Sequence, residues 1–175
     1  MSINNLIETD LGNFHRYRSN PEVTRYQGFG VLNKEECAEF IESQLGKLFG
    51  KPGEWVQYAI RLAAGGQLIG DCAIKLEEDD PRIAQVGITI SHLEQGQGYG
   101  KEVLLGIMQF LFGEIGVHRI VETADADNAA SIALLESCGF RKEGHFIENI
   151  FFKGAWGSEV QYAMLKREFE INQSK

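Results

Sequence analysis

The chain has 175 residues, 43% hydrophobic and 24% charged, a composition that suits one globular domain able to bury a core. Its formal net charge of −8 argues against a general nucleic-acid binder and mildly favours a cationic partner. No apolar run reaches the roughly 18 residues of a membrane helix, MSINNLIETD lacks the pattern of a signal peptide, and Cys37, Cys72 and Cys138 are too scattered for a zinc site, so a reduced, cytoplasmic setting without metal or membrane is expected.

In chain order, Leu6 and Ile7 carry a weak strand signal. Asp10 is expected to cap a helix to about Ser19, with Leu11, Phe14 and Tyr17 at helical spacing and Asn20-Pro21 ending it. Pro21 to Val31 reads as a loop. Asn33 with Glu36 three residues on predicts a capped helix to about Phe49, whose apolar face uses Cys37, Phe40, Ile41, Leu45 and Leu48. After the break at Gly50-Lys51-Pro52-Gly53, Val56–Leu62 and Leu68–Leu76 predict a hairpin, and Glu77 to Pro81 an acidic, solvated turn.

The period then changes within one stretch. Val86, Ile88 and Ile90 alternate as in a strand, while Val103, Leu104, Ile107, Met108 and Leu111 follow helical spacing. Between them stands Gln95-Gly96-Gln97-Gly98-Tyr99-Gly100, with Lys101 behind. Alternate glycines let backbone approach a ligand, and a helix start offers unpaired N–H groups and partial positive charge. The combination suits a phosphate or pyrophosphate; a ligand-free turn is the plainer alternative. Gly113 to Gly116 is expected to end the helix. Val117–Thr123 reads as a strand, Asp127 or Asn128 as the cap of a helix to Ser137, Phe146–Phe152 and Val160–Leu165 as the last strands, and 167–175 as a polar tail. The order predicts a single mixed α/β domain over 1–175 with one parallel crossover.

Two segments resemble the GNAT superfamily of acetyl-CoA-dependent N-acetyltransferases. Gln95 to Gly100 is similar to its Arg/Gln-x-x-Gly-x-Gly/Ala loop, and Asn128-Ala129-Ala130-Ser131 followed by Leu135 to Phe140 and Gly144 is similar to its Asn-x-x-Ser…Gly-Phe segment. Asn20-Pro21-Glu22-Val23, Gly154-x-Trp156 and Tyr162 to Leu165 resemble the branch that includes ribosomal-protein-alanine acetyltransferases. The resemblance implies a mostly antiparallel mixed sheet of six or seven strands with a splayed parallel pair and about four helices. It implies acetyl-CoA as cosubstrate, with pyrophosphate on the amides of Gln95, Gly96, Gln97, Gly98, Tyr99, Gly100 and Lys101. Pantetheine would pair with Ile88, Thr89 and Ile90 as an added strand, Asn128 would bond the cofactor arm, and Ser131 would lie near the sulfur as an acid. The acceptor it implies is a primary amine, on a small molecule or a protein N-terminus, attacked directly without an acetyl-enzyme; a homodimer is allowed.

Other features leave alternatives open. His92 stands where relatives often have proline, Gln85 where many have an acid, Ile150 where some have glutamate, and Ser158 in place of an aspartate. Glu148 and Glu159 are candidate bases against a reading as surface carboxylates, and Ser131 is equally read as a helix-start serine bonding its own backbone. Tyr26, Phe29 and Trp156 either line a substrate mouth or cover the core. Cys138 lacks an evident activating base. The rival readings are a Rossmann-type dinucleotide binder, in which Glu122 would be the acidic residue about 20 positions beyond the loop, and a CoA-binding regulatory domain without turnover. A P-loop is excluded because Glu102, not Ser or Thr, follows Lys101.

Overall fold

The computed structural model describes residues 1–173. Seven strands form one sheet in the order β1-β2-β3-β4-β5-β7-β6: β1 Ser2–Asn5, β2 Val56–Arg61, β3 Leu68–Leu76, β4 Ile83–Ile90, β5 Arg119–Asp125, β6 Arg141–Phe152 and β7 Ala155–Leu165. All neighbours run antiparallel except β4 and β5, whose parallel pairing is confined to Ile83↔Arg119 and Ala84↔Ile120. Beyond Ala84 the two strands part while β4 stays paired to β3 as far as Ile90.

Among the described residues there are six α-helices: α1 Leu11–Arg18, α2 Pro21–Thr24, α3 Lys34–Gln44, α4 Tyr99–Gln109, α5 Ala129–Ser137 and α6 Lys166–Gln173. Alternation along the strands sends neighbouring residues to opposite faces. Ile60 and Ile69 join Leu104, Met108, Phe112 and Leu135 in one cluster, while Ala59 and Leu68 join Phe14, Tyr17, Cys37 and Ile41 in the other. The sheet is therefore a middle layer between α1–α3 and α4–α6.

The capping box of α3 forms as expected: Glu36 N donates to Asn33 Oδ1 at 2.9 Å and Asn33 N to Glu36 Oε2 at 2.7 Å. Several expectations need correction. The first strand lies at Ser2–Asn5 rather than around Leu6 and Ile7, and Leu6 is buried in the α1–α3 cluster. Asp10 does not cap α1; its carboxylate accepts two bonds from Arg61, at 2.7 and 2.6 Å. The α3 helix stops at Gln44, ahead of Gly46 at φ +74, which leaves Leu45 and Leu48 exposed. The loop after Pro21 begins with the short α2, capped by Asn20.

The helix of the glycine stretch ends at the far edge of the break expected over Gly113 to Gly116. It widens into a π turn over Phe110–Ile115 and ends at Gly116, φ +79. The last hairpin is longer than expected: β6 and β7 meet in a tight turn at Lys153-Gly154, where both residues have positive φ. The segment 167–175 is not a tail throughout. Lys166–Gln173 is helical and lays buried Phe169 against Phe112, centroids 5.2 Å apart; Ser174 and Lys175 lie outside the described residues.

Candidate active site

The parting of β4 from β5 generates the site. Val86 N points across the gap and donates to the Glu122 carboxylate on β5. With a strand period of two, Ile88 and Ile90 present their N–H and C=O groups to the same gap, with no strand opposite. Gln95 Nε2 folds back onto the Ile90 carbonyl at 2.9 Å, fixing the exit from the strand. The chain then turns through Gly96 and Gly98 at φ +76 and +85, a region costly for side-chain-bearing residues. Open space lies in front of both. Gly98 is the N-cap of α4, so the first amides of the helix have no intrahelical acceptor and face that space. Gly100 serves packing instead: a Cβ there would stand 3.5 Å from Leu134 on α5.

A cleft of about 570 Å³ follows from this arrangement. Ile88–Ile90, Gln95, Gly96, Gly98–Lys101, Asn128 and Ser131 all line it. Gln97 does not; its amide bonds Glu94 at 3.2 Å. Asn128 caps α5, its Oδ1 accepting from Ser131 N at 3.1 Å, so the residue that ties the helix start is Asn128 and the Ser131 side chain is free to face the cleft. The donor set matches a CoA-like ligand: amides at a helix start for a pyrophosphate and an unpaired strand edge for a chain bearing amides.

Glu148 and Glu159 are not brought into this lining. Both sit on the β6–β7 hairpin, Glu148 at φ +46 with its N–H on Ser158 Oγ at 2.9 Å, Glu159 accepting from Asn149 Nδ2 at 2.5 Å. The three aromatic candidates divide. Tyr26 lines the cleft, Phe29 lies under the Arg18 guanidinium with 4.0 Å to its centroid, and Trp156 stays exposed against Phe151. Cys138 is buried, and burial pushes its thiol up, away from nucleophilic character. No group of three or more His, Cys, Asp or Glu among the described residues could hold a metal ion.

Two features escape sequence reasoning. Asp71, in the apolar run of β3, is fully buried and bonded by Tyr17 Oη at 2.6 Å, by Arg18 and by Gln57. That network binds α1 to the sheet on the face opposite the glycine helix. Lys153, at the hairpin tip, donates to the carbonyls of Thr24 at 2.5 Å and Arg25 at 3.2 Å, fastening the hairpin to the segment that carries Val23 and Tyr26 into the cleft. The signal for the first was a lone acid inside an apolar strand, which carries a burial cost unless it is paired; the second left no local trace.

The Rossmann alternative does not survive this geometry. The parallel contact spans two residue pairs inside a mostly antiparallel sheet, and the Glu122 carboxylate sits between the strands on Val86 N–H. Comparison with known proteins agrees. The family model described as "Acetyltransferase (GNAT) domain" matches residues 2–141. The chain is similar to the N-acetyltransferase p20 of Bacillus licheniformis, 25% identical over 154 residues that cover 88% of this chain and 86% of that one. It is similar to the spermidine N(1)-acetyltransferase of Vibrio cholerae, 27% identical over 94 residues, 54% of each chain. Its fold is similar to that of a GNAT-family acetyltransferase from Bacillus anthracis, with TM-score 0.85 and 25% identity over 95% of both chains. With a family match over residues 2–141 and a cleft whose donors suit CoA, the chain belongs to the GNAT family of acetyl-CoA-dependent N-acetyltransferases.

Proposed function

We propose that this enzyme moves the acetyl group of acetyl-CoA directly to a primary amine on a cationic acceptor. The observation that carries the reading is the continuous path from the Gly96–Gly98 loop along the unpaired edge of β4. In this reading the α4 amides hold the pyrophosphate and Ile88 and Ile90 align the thioester arm. Asn128 contributes its amide nitrogen, and the Ser131 hydroxyl bonds the sulfur side. An alkyl amine with pKa about 10.4 is almost wholly protonated at pH 7, so the acceptor loses a proton before attack, and alignment and backbone donors to the oxyanion lower the remaining barrier. Neither Glu148 nor Glu159, the sequence candidates for a base, lines the cleft, so the amine's proton passes to water.

Charge supports a cationic acceptor. Glu22 and Glu94 both line the cleft. The partial likeness to a spermidine acetyltransferase points the same way. The test is thiol release from acetyl-CoA with spermidine, an aminoglycoside and an alanyl peptide as acceptors. Turnover with spermidine above the peptide is expected; peptide turnover alone refutes the cationic small-molecule acceptor. Intact mass during turnover should show no acetylated protein, since none of the three buried thiols has an activating base.

A further inference from the structure

Behind the main cleft lies a second, smaller cavity of about 50 Å³, room for a group the size of an acetyl carbonyl or a sulfur rather than for a whole substrate. Ile88, Ser131 and Leu134 line both spaces, so the small one adjoins the large one. Its wall is otherwise apolar or neutral, with Val86, Leu104 and Leu135, and Glu122 is its one ionisable side chain. Sequence reading assigned this glutamate only within the Rossmann alternative, which the fold excludes. Resting on the acetyl-CoA reading of the cleft, we propose that Glu122 is the acid that protonates the departing CoA sulfur.

One carboxyl oxygen accepts the Val86 N–H, and the structure gives the other no hydrogen-bond partner among the described residues. No charged group faces the carboxyl from β4, α4 or α5 within the cavity. Across β5–β7 its neighbour is Tyr162, a neutral phenol whose hydroxyl donates to Glu136 at 2.7 Å. Glu122 is half-buried with no compensating cation, and this desolvation raises its carboxyl, the Val86 bond opposing in part. The raised carboxyl lines the same space as Ser131, where its protonated form is an O–H donor.

Such a carboxyl is suited to giving a proton rather than taking one. As the amine nitrogen bonds to the carbonyl carbon and the C–S bond breaks, the sulfur takes the Glu122 proton. The nitrogen sheds one proton as the amide forms, and through solvent that proton restores the carboxyl. One acetyl group moves, one proton passes in net from nitrogen to sulfur, and nothing is oxidised. Ser131 can hold the sulfur by a hydrogen bond, but a hydroxyl does not release its proton at neutral pH unless it receives another.

The test pairs Glu122→Gln, which keeps the size and the acceptor for Val86 N–H, with two readouts. Carbon-13 NMR of glutamate carboxyls, with the Glu122 signal assigned by its loss in E122Q or, should that chain not fold, in Glu122→Met, needs no acceptor. A carboxyl still protonated at neutral pH is expected; one that ionises below about pH 5, like an ordinary glutamate, overturns the proposal. Steady-state kinetics with the fastest acceptor of the screen should show kcat about 10²-fold lower with the KM for acetyl-CoA unchanged. The wild-type fall of kcat at alkaline pH, where Glu122 ionises, should be absent from the variant. Wild-type kcat and pH profile in an E122Q enzyme that binds CoA normally overturn the role of Glu122 and leave the cofactor reading standing. Failure of the wild-type protein to bind CoA in calorimetry overturns both.

Discussion

The two sides of the cleft are built by different means. The cofactor side, from β4 through the glycine loop into α4, consists of backbone: positive φ at Gly96 and Gly98, unpaired helix amides and an open strand edge. The facing side is held by side chains that reach across long stretches of chain, Lys153 to the Thr24 carbonyl beside the cleft and, beneath it on the α1–α3 face of the sheet, Arg18 to Asp71. A backbone-built half is written in consecutive residues and suits a ligand that does not vary. A side-chain-built half can change its ligand by point substitution, at the cost of buried charges that must stay paired.

That contrast is broken most severely at Asp71. Asp71→Ala leaves the Arg18 guanidinium buried without its partner, and a loss of about 3–5 kcal/mol in denaturant melts is expected. Replacing both, Arg18→Met with Asp71→Leu, should recover most of it. If the single variant loses under about 1 kcal/mol, the docking of α1 on the sheet does not depend on the pair.

The matching disruption on the cofactor side is Gly98→Val. The new side chain would occupy the space in front of the loop at a φ of +85 that valine tolerates poorly. CoA affinity by calorimetry should fall on the order of 10²-fold, about 2.7 kcal/mol, in a protein whose circular dichroism is unchanged. Next in size is Ser131. Because Asn128 makes the cap, Ser131→Ala should leave the melt nearly unchanged while kcat falls about 10-fold. Asn128→Ala should cost about 1 kcal/mol of stability. The opposite assignment of the two effects would make Ser131 structural.

Legibility followed the same division. The α3 capping box, the β2–β3 hairpin and the glycine loop were readable because each signal lies within a few residues. Asp10 looked like a helix cap because cap residues are recognised locally, yet Arg61, 51 positions away, claims its carboxylate. Leu45 and Leu48 fitted the helical period of α3, but Gly46 ended the helix before they could use it. The helix at Lys166–Gln173 was hidden by a polar sequence with Phe169 as its one large buried anchor. The inner cavity was invisible because it depends on where β4 and β5 part, and register between distant strands is not encoded in either strand alone.

Two smaller effects sharpen the comparison. Lys153→Met removes the hairpin's hold on Thr24 and Arg25, so the acceptor KM should rise a few-fold while CoA affinity stays the same; equal changes in both would mean that the two sides are not independent. Asp80, in the acidic turn outside the cleft, is held by Arg82 at about 2, below its ordinary value of 3.8. The pair therefore adds stability above pH 3.8 that is lost as pH falls through about 2. In thermal melts, Asp80→Asn should differ slightly from wild type at neutral pH and converge with it near pH 2.

The strand order β5-β7-β6 bears on how the chain comes off the ribosome. β5 is synthesised long before the strand that pairs with it, and β6, which emerges first, has its partner only after the turn at Lys153-Gly154. Until β7 is made and inserted, the nascent chain carries an unpaired edge at β5 and an unpaired β6. Sheet completion must therefore wait for β7. Slow translation or a stall between β6 and β7 should send this protein to chaperones or aggregates rather than to a native-like intermediate.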